Sequence, residues 1–112
     1  MKELKFEPEI LAKHIARNPT SILTGRDEPK GKPYELFKIK DFGVWSLILV
    51  GRPCSIGDYA NSYYQAEGFK NARELYVVLR RLYDDAQIYP HIFALHQTEE
   101  QAKQKNLGDW IK

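Results

Sequence analysis

The chain has 112 residues, with 17 Lys and Arg against 15 Asp and Glu, for a formal net charge of +2. That length suits one domain with a modest core, and 43% hydrophobic with 29% charged residues excludes a disordered or fibrous chain. Cys54 is the only cysteine, which excludes an internal disulfide and a cysteine-based zinc finger.

ELKF, residues 3–6, reads as a short first strand. In PEILAKHIARN, residues 8–18, Ile10, Leu11, His14 and Ile15 recur at helical spacing. Pro8 suits a first turn whose N–H would lack a partner, and Pro19 ends the helix because it disfavours the α region for the residue before it. TSILT, residues 20–24, is β-branched and short, a strand, and GRDEPKGKP, residues 25–33, is a turn-rich charged loop. YELFKI, residues 34–39, predicts another strand. VWSLILVGR, residues 44–52, is the strongest strand, apolar on both faces and therefore central.

SIGDYANSYYQAEGF, residues 55–69, opens with Ser55 or Asp58 as the N-cap of a short helix reaching about Gln65, and Gly68 suits a helix end that needs positive φ. Asn71 caps the longest helix, residues 71–84, with Glu74 completing a capping box. Leu75, Val78, Leu79 and Leu82 form its apolar stripe, with Arg73, Arg80 and Arg81 off it. YPHIFALH, residues 89–96, is a last strand, and residues 98–112 read as a C-terminal helical extension anchored by Leu107, Trp110 and Ile111. Helices do not alternate regularly with strands, so the class is α+β with a mixed or antiparallel sheet.

Charge is uneven along the chain. Residues 13–52 hold Lys13, Arg17, Arg26, Lys30, Lys32, Lys38, Lys40 and Arg52 against Asp27, Glu28, Glu35 and Asp41, a local excess of +4 compatible with a polyanion partner. No glycine loop has Walker or Rossmann spacing. His14, His91 and His96 are scattered, and the last two point to opposite faces of one strand, which gives no metal site. Tyr59, Tyr63 and Tyr64 are the aromatics placed to stack on bases, against the ordinary reading that they fill the core. Glu67, between two helices, has the ordinary reading of a solvated turn acid. The charged start from Lys2 and the shortness of the longest apolar run give the expectation of no signal peptide, no membrane span and a cytoplasmic protein.

AEGFKNARELYVVLRRLYDD, residues 66–85, resembles a signature of the ASCH domain family: an acid-Gly-Phe turn, a polar cap and a helix ending near a Tyr. VGRPCSIGDY before it has the family's strand and proline-containing loop, and LKFEPEILAKHIARNPTSILTGR has its opening strand, helix and strand. The resemblance runs over about residues 2–96. It implies a PUA-like fold, a small, partly open β-barrel with helices packed at the rim, and RNA bound in a cleft beside the barrel. Some small family members are amidohydrolases that remove the acetyl group from acetylcytidine with a Lys, a Thr and a Glu.

Carried onto this chain, the resemblance puts the cleft Glu at Glu67 and the first Thr of the basic motif at Thr20. The second Thr falls on Ile22, or on Thr24 if two residues are inserted, and the trailing Arg is then Arg26. The Lys position holds Pro19, and Arg17 is no substitute because a guanidinium stays protonated. The expectation is therefore a cofactor-free module binding RNA or a nucleotide-like ligand. Arg17, Arg26 and Arg52 would contact phosphates beside Thr20, Tyr63 and Tyr64 would stack, and Glu67 would accept from a base's exocyclic amine. Two alternatives stand: an amidohydrolase using Glu67 and Thr20, and a protein-interaction module docking through the segment around Trp110.

Overall fold

The computed structural model describes residues 1–98 and Glu100. In chain order these form β1 (Lys2–Glu3), α1 (Pro8–Arg17), β2 (Ser21–Arg26), β3 (Leu36–Ile39), β4 (Gly43–Val50), α2 (Ile56–Tyr63), α3 (Ala72–Tyr83) and β5 (Tyr89–Gln97). The expected extension over 98–112, with Leu107, Trp110 and Ile111, lies outside the described residues apart from Thr98 and Glu100. Among the described residues no helix is long and apolar enough to cross a membrane.

The strands make one five-stranded mixed sheet in the order β1-β3-β4-β5-β2. β1 runs parallel to β3, and every other neighbouring pair is antiparallel. The class is α+β as the element pattern requires, but the sheet is open, with β1 and β2 as its two edges. The expected barrel does not close because β1 is two residues long and its only ladder is to β3, so nothing joins it to β2.

Local chemistry sets the element ends. Pro8 occupies the first turn of α1, and the Glu7 carboxylate caps it by accepting from the Ile10 N–H. Asn18 closes α1 in the left-handed region, φ 49°, just before Pro19. Ser55, not Asp58, caps α2 by accepting from the Asp58 N–H, and Asn71 caps α3 by accepting from the Glu74 N–H.

One strand boundary and one burial pattern differ for tertiary reasons. β2 continues through Thr24, Gly25 and Arg26, which pair with His91, Pro90 and Tyr89 of β5 and are buried. Cross-strand pairing overrides the turn signal of the glycine. β4 is central as predicted, but Ile48 and Leu49 face solvent beside a register shift between Leu47 and Leu49. Leu82 is likewise more exposed than its place in the α3 stripe predicts.

One core cluster packs Ile10 of α1, Ile56, Tyr59 and Ala60 of α2, and Leu75, Val78 and Leu79 of α3 around Phe69 and Ile88. A second joins Leu4, Ile22, Phe37, Ile39, Trp45, Leu47 and Phe93, with Phe6 and Leu11 against it. Phe6 touches both clusters, and the site lies where they meet.

Candidate functional site

A cleft of about 220 Å³ opens between the end of β2, the start of α1 and the end of α3. Its polar walls are Lys5, Glu7, Thr24, Arg26 and Tyr83. Arg26 is only 8% exposed. It donates to the Lys5 carbonyl at 2.7 Å, and its guanidinium lies 4.5 Å over the Phe6 ring. Burial lowers its pKa, with Tyr83, Glu67, Tyr59 and Asp27 acting the other way, and a guanidinium keeps its charge in such a setting. Gly25 belongs here by necessity, because a Cβ would stand 2.6 Å from Ile88 Cγ2 and 2.7 Å from Tyr59 Cζ. The missing side chain lets the Tyr59 ring reach the underside of β2.

Within the protein, close enough for its charge to act on Arg26, lies the Glu67 carboxyl group. Glu67 is 0% exposed, the reverse of a solvated turn acid. It enters the interior because the chain turns sharply after α2. Gly68 takes φ +80°, and the Arg17 guanidinium grips the turn, donating to the Ala66 carbonyl at 2.7 Å and the Gln65 carbonyl at 3.4 Å. His14 of α1, also 0% exposed, places Nε2 3.7 Å from Glu67 Oε1, beyond hydrogen-bond range. No well-formed hydrogen bond reaches either Glu67 oxygen, His14 Nε2 or the Tyr59 hydroxyl, although all are buried.

The surrounding groups feel that carboxylate. Burial pushes the Tyr59 phenol well above its usual range, and the Glu67 charge adds to it. Burial also raises Tyr83, opposed by Arg26. Two phenols that stay protonated, a retained cation and a buried carboxyl group influence one another electrostatically. Such an arrangement can bind a polar ligand and discriminate donors from acceptors, because buried polar groups left without partners are costly.

Arg26 and Thr24, the inserted-motif alternative to Ile22, line one cleft. Glu67 is fully buried, does not line that cleft, and is linked to Arg26 only through its charge. Ile22 sits in the second core cluster. Thr20 stands before the other end of β2, about 20 Å of extended strand from Arg26, exposed, with its carbonyl accepting from the Leu95 N–H. Arg17 holds the 65–66 turn. Arg52 is exposed in the connection after β4. Tyr63 and Tyr64 are half-buried against the helical core, with the Tyr63 ring 4.9 Å from that of Tyr59. Tyr59 itself is core.

Three features escaped the sequence reading. His14 looked like one more member of an apolar helix face, and its position on that face was the available signal. Lys5 and Tyr83 join the cleft only through the fold. Tyr34 is the aromatic that does face solvent, 77% exposed at φ +68°, in an open depression of about 680 Å³ with Lys2, Lys30 and Lys32. That loop is anchored. The Lys30 N–H donates to His91 Nε2 at 3.1 Å, and His91 Nδ1–H donates to the Tyr89 carbonyl at 2.7 Å. Lys2 and Lys30 pair with Glu35 and Glu28. Cys54 is half-buried, and burial raises its thiol pKa, which leaves a poor nucleophile. Among the described residues no cluster of three His, Cys, Asp or Glu has the placement to hold a metal.

Comparison of the chain with models of protein families, with curated proteins and with solved structures finds no match.

Proposed function

We propose that the chain is an ASCH-type, PUA-like module that binds RNA or a nucleotide-like ligand at the Arg26 cleft. The observation that carries the reading is Glu67: a fully buried acid with no well-formed hydrogen bond to either oxygen, whose charge acts on the buried arginine of a cleft with basic walls. A folded protein rarely tolerates such a group unless a ligand or a catalytic task uses it. The cleft's volume suits a base or a phosphate rather than a duplex. Lys5 and Arg26 supply positive charge for a phosphate, and Glu67, buried until the ligand opens a way to it, accepts from an amine on a base. Lys2, Lys30, Lys32 and Tyr34 provide a path for a flanking strand across the neighbouring loop.

The test is a titration with short single-stranded RNA and with cytidine, at low and moderate salt, in wild type and Glu67→Gln. Saturable binding that Glu67→Gln weakens supports the reading, and a steep salt dependence confined to the RNA assigns the phosphate contacts. Absence of binding by either probe at low salt overturns it. Acetylcytidine in the same series reads turnover directly: hydrolysis lost in Glu67→Gln would make the chain an amidohydrolase despite Pro19.

A further inference from the structure

We infer that His14 is a positioning residue, locked in one tautomer by Arg17 so that its Nε2–H aims Glu67 at a hydrogen-bond donor on the ligand; this rests on the ligand-site reading above. The lock follows from an inventory of donors. A guanidinium has five N–H donors and no acceptor. Arg17 NH2 stands 2.8 Å from His14 Nδ1, so Nδ1 is the acceptor of that contact. The neutral ring then carries its one proton on Nε2, and Nε2 is the nitrogen facing Glu67 Oε1. The same guanidinium donates to the Gln65 and Ala66 carbonyls, immediately before Glu67. One side chain therefore sets both the tautomer of the histidine and the place of the acid it faces.

The 3.7 Å gap gives the arrangement its use. A carboxylate accepts about four hydrogen bonds. Around Glu67 stand two donors, His14 Nε2–H at 3.7 Å and the Tyr59 hydroxyl, whose approach to Glu67 adds to the rise of the phenol's pKa. Hydrogen bonds in an unliganded site are often long and tighten when the ligand arrives. With these two donors drawn in, lone pairs remain that only a further donor can satisfy. An incoming amine or amide N–H meets that need, whereas a carbonyl oxygen faces the carboxylate with like charge. His14 is connected to the cleft through Phe6, whose ring meets the imidazole edge-on, 6.0 Å between centroids, and also lines the cleft.

The experiment has two arms. Long-range proton–nitrogen correlation on 15N-labelled protein, without ligand, reads the His14 tautomer and the Nε2–H shift. The expected result is Nε2–H, moved by Glu67→Gln. Binding is then compared for cytidine and uridine, which exchange an amine for a carbonyl. His14→Met keeps the bulk and removes the donor, and should weaken cytidine by about tenfold. His14→Gln offers an amide N–H at the same reach and should stay within about threefold of wild type. A wild-type Nδ1–H tautomer, or cytidine binding unchanged in a folded His14→Met, overturns the inference while leaving the ligand site standing. If wild type binds neither nucleoside, the site reading fails, and the first arm still decides: an Nε2–H shift indifferent to Glu67→Gln overturns the pairing, and a moved one supports it.

Discussion

Glu67→Gln keeps the shape of the side chain and removes its charge, and the sign of its effect on stability separates a working carboxylate from a structural one. Were Glu67 half of a buried ion pair, losing it would cost about 3–5 kcal/mol, because the partner would be left charged and alone. The geometry argues for the opposite sign. No well-formed hydrogen bond reaches either oxygen, the Tyr59 hydroxyl approaches without good geometry, and His14 offers a neutral N–H from 3.7 Å. Arg26 finds its direct partners elsewhere, in the Lys5 carbonyl and the Phe6 ring. The carboxyl group thus bears the desolvation of burial with few direct partners, a penalty of about 1–3 kcal/mol for an unsatisfied buried group. Gln retains part of it. The expected result is a gain of about 1–2 kcal/mol, the pattern of residues kept for function at the expense of stability. With a urea m-value of about 1.5 kcal/mol/M, the unfolding midpoint should rise by about 1 M. Circular dichroism against urea reads it, and a midpoint lowered by about 2 M would refute the reasoning and make Glu67 a structural partner.

Gly25→Ala should cost about 2–3 kcal/mol by the same assay, since the new methyl overlaps two fully buried side chains, Ile88 and Tyr59; a neutral substitution would show that Tyr59 does not pack under β2. His91 titrates below its usual range, mainly through burial, with Arg26 and Lys30 adding and the Tyr89 carbonyl opposing. The unfolded chain takes up that proton near pH 6.5 and the folded protein only lower, so between the two values the unfolded state binds more protons. Stability should therefore fall as pH drops from about 6.5, and a pH series of urea midpoints should show that limb flattened in His91→Gln. Tyr34→Ala should weaken single-stranded RNA by about tenfold, the low-to-middle range for one lost stacking contact, and leave cytidine unchanged; equal loss for both probes would place Tyr34 in the cleft rather than on the path to it.

How much of this was legible in the residues depends on whether the signal is local. Pro8, Ser55 and Asn71 act within a turn of their own position, and the three helices begin where they direct, whereas α2 ends at Tyr63 and Gly68 takes its positive φ in the turn beyond. Strand ends are set by partners far away in sequence. Gly25 and Arg26 carry turn and surface signals, yet β5 claims them for the sheet, and that pairing puts Arg26 in the cleft instead of on an exposed loop. Of the expected partly open barrel the structure shows an open sheet, for a related reason. Closure is a property of the two edge strands together, and a two-residue β1 cannot be weighed without knowing what lies beside it. At the site, residue type pointed to Glu67 only through the resemblance, since a glutamate before a glycine is by itself a solvated turn. Its burial is an outcome of three distant contacts: Arg17 on the turn carbonyls, His14 beside Oε1 and Tyr59 beneath Gly25. The sequence separation of these groups is the reason His14 went unnoticed, and it is also what makes the site specific. A helix, a turn and a strand edge must all be in place before the carboxylate is held away from water, so ligand binding at Glu67 should report on the integrity of the whole fold and fail cooperatively with it.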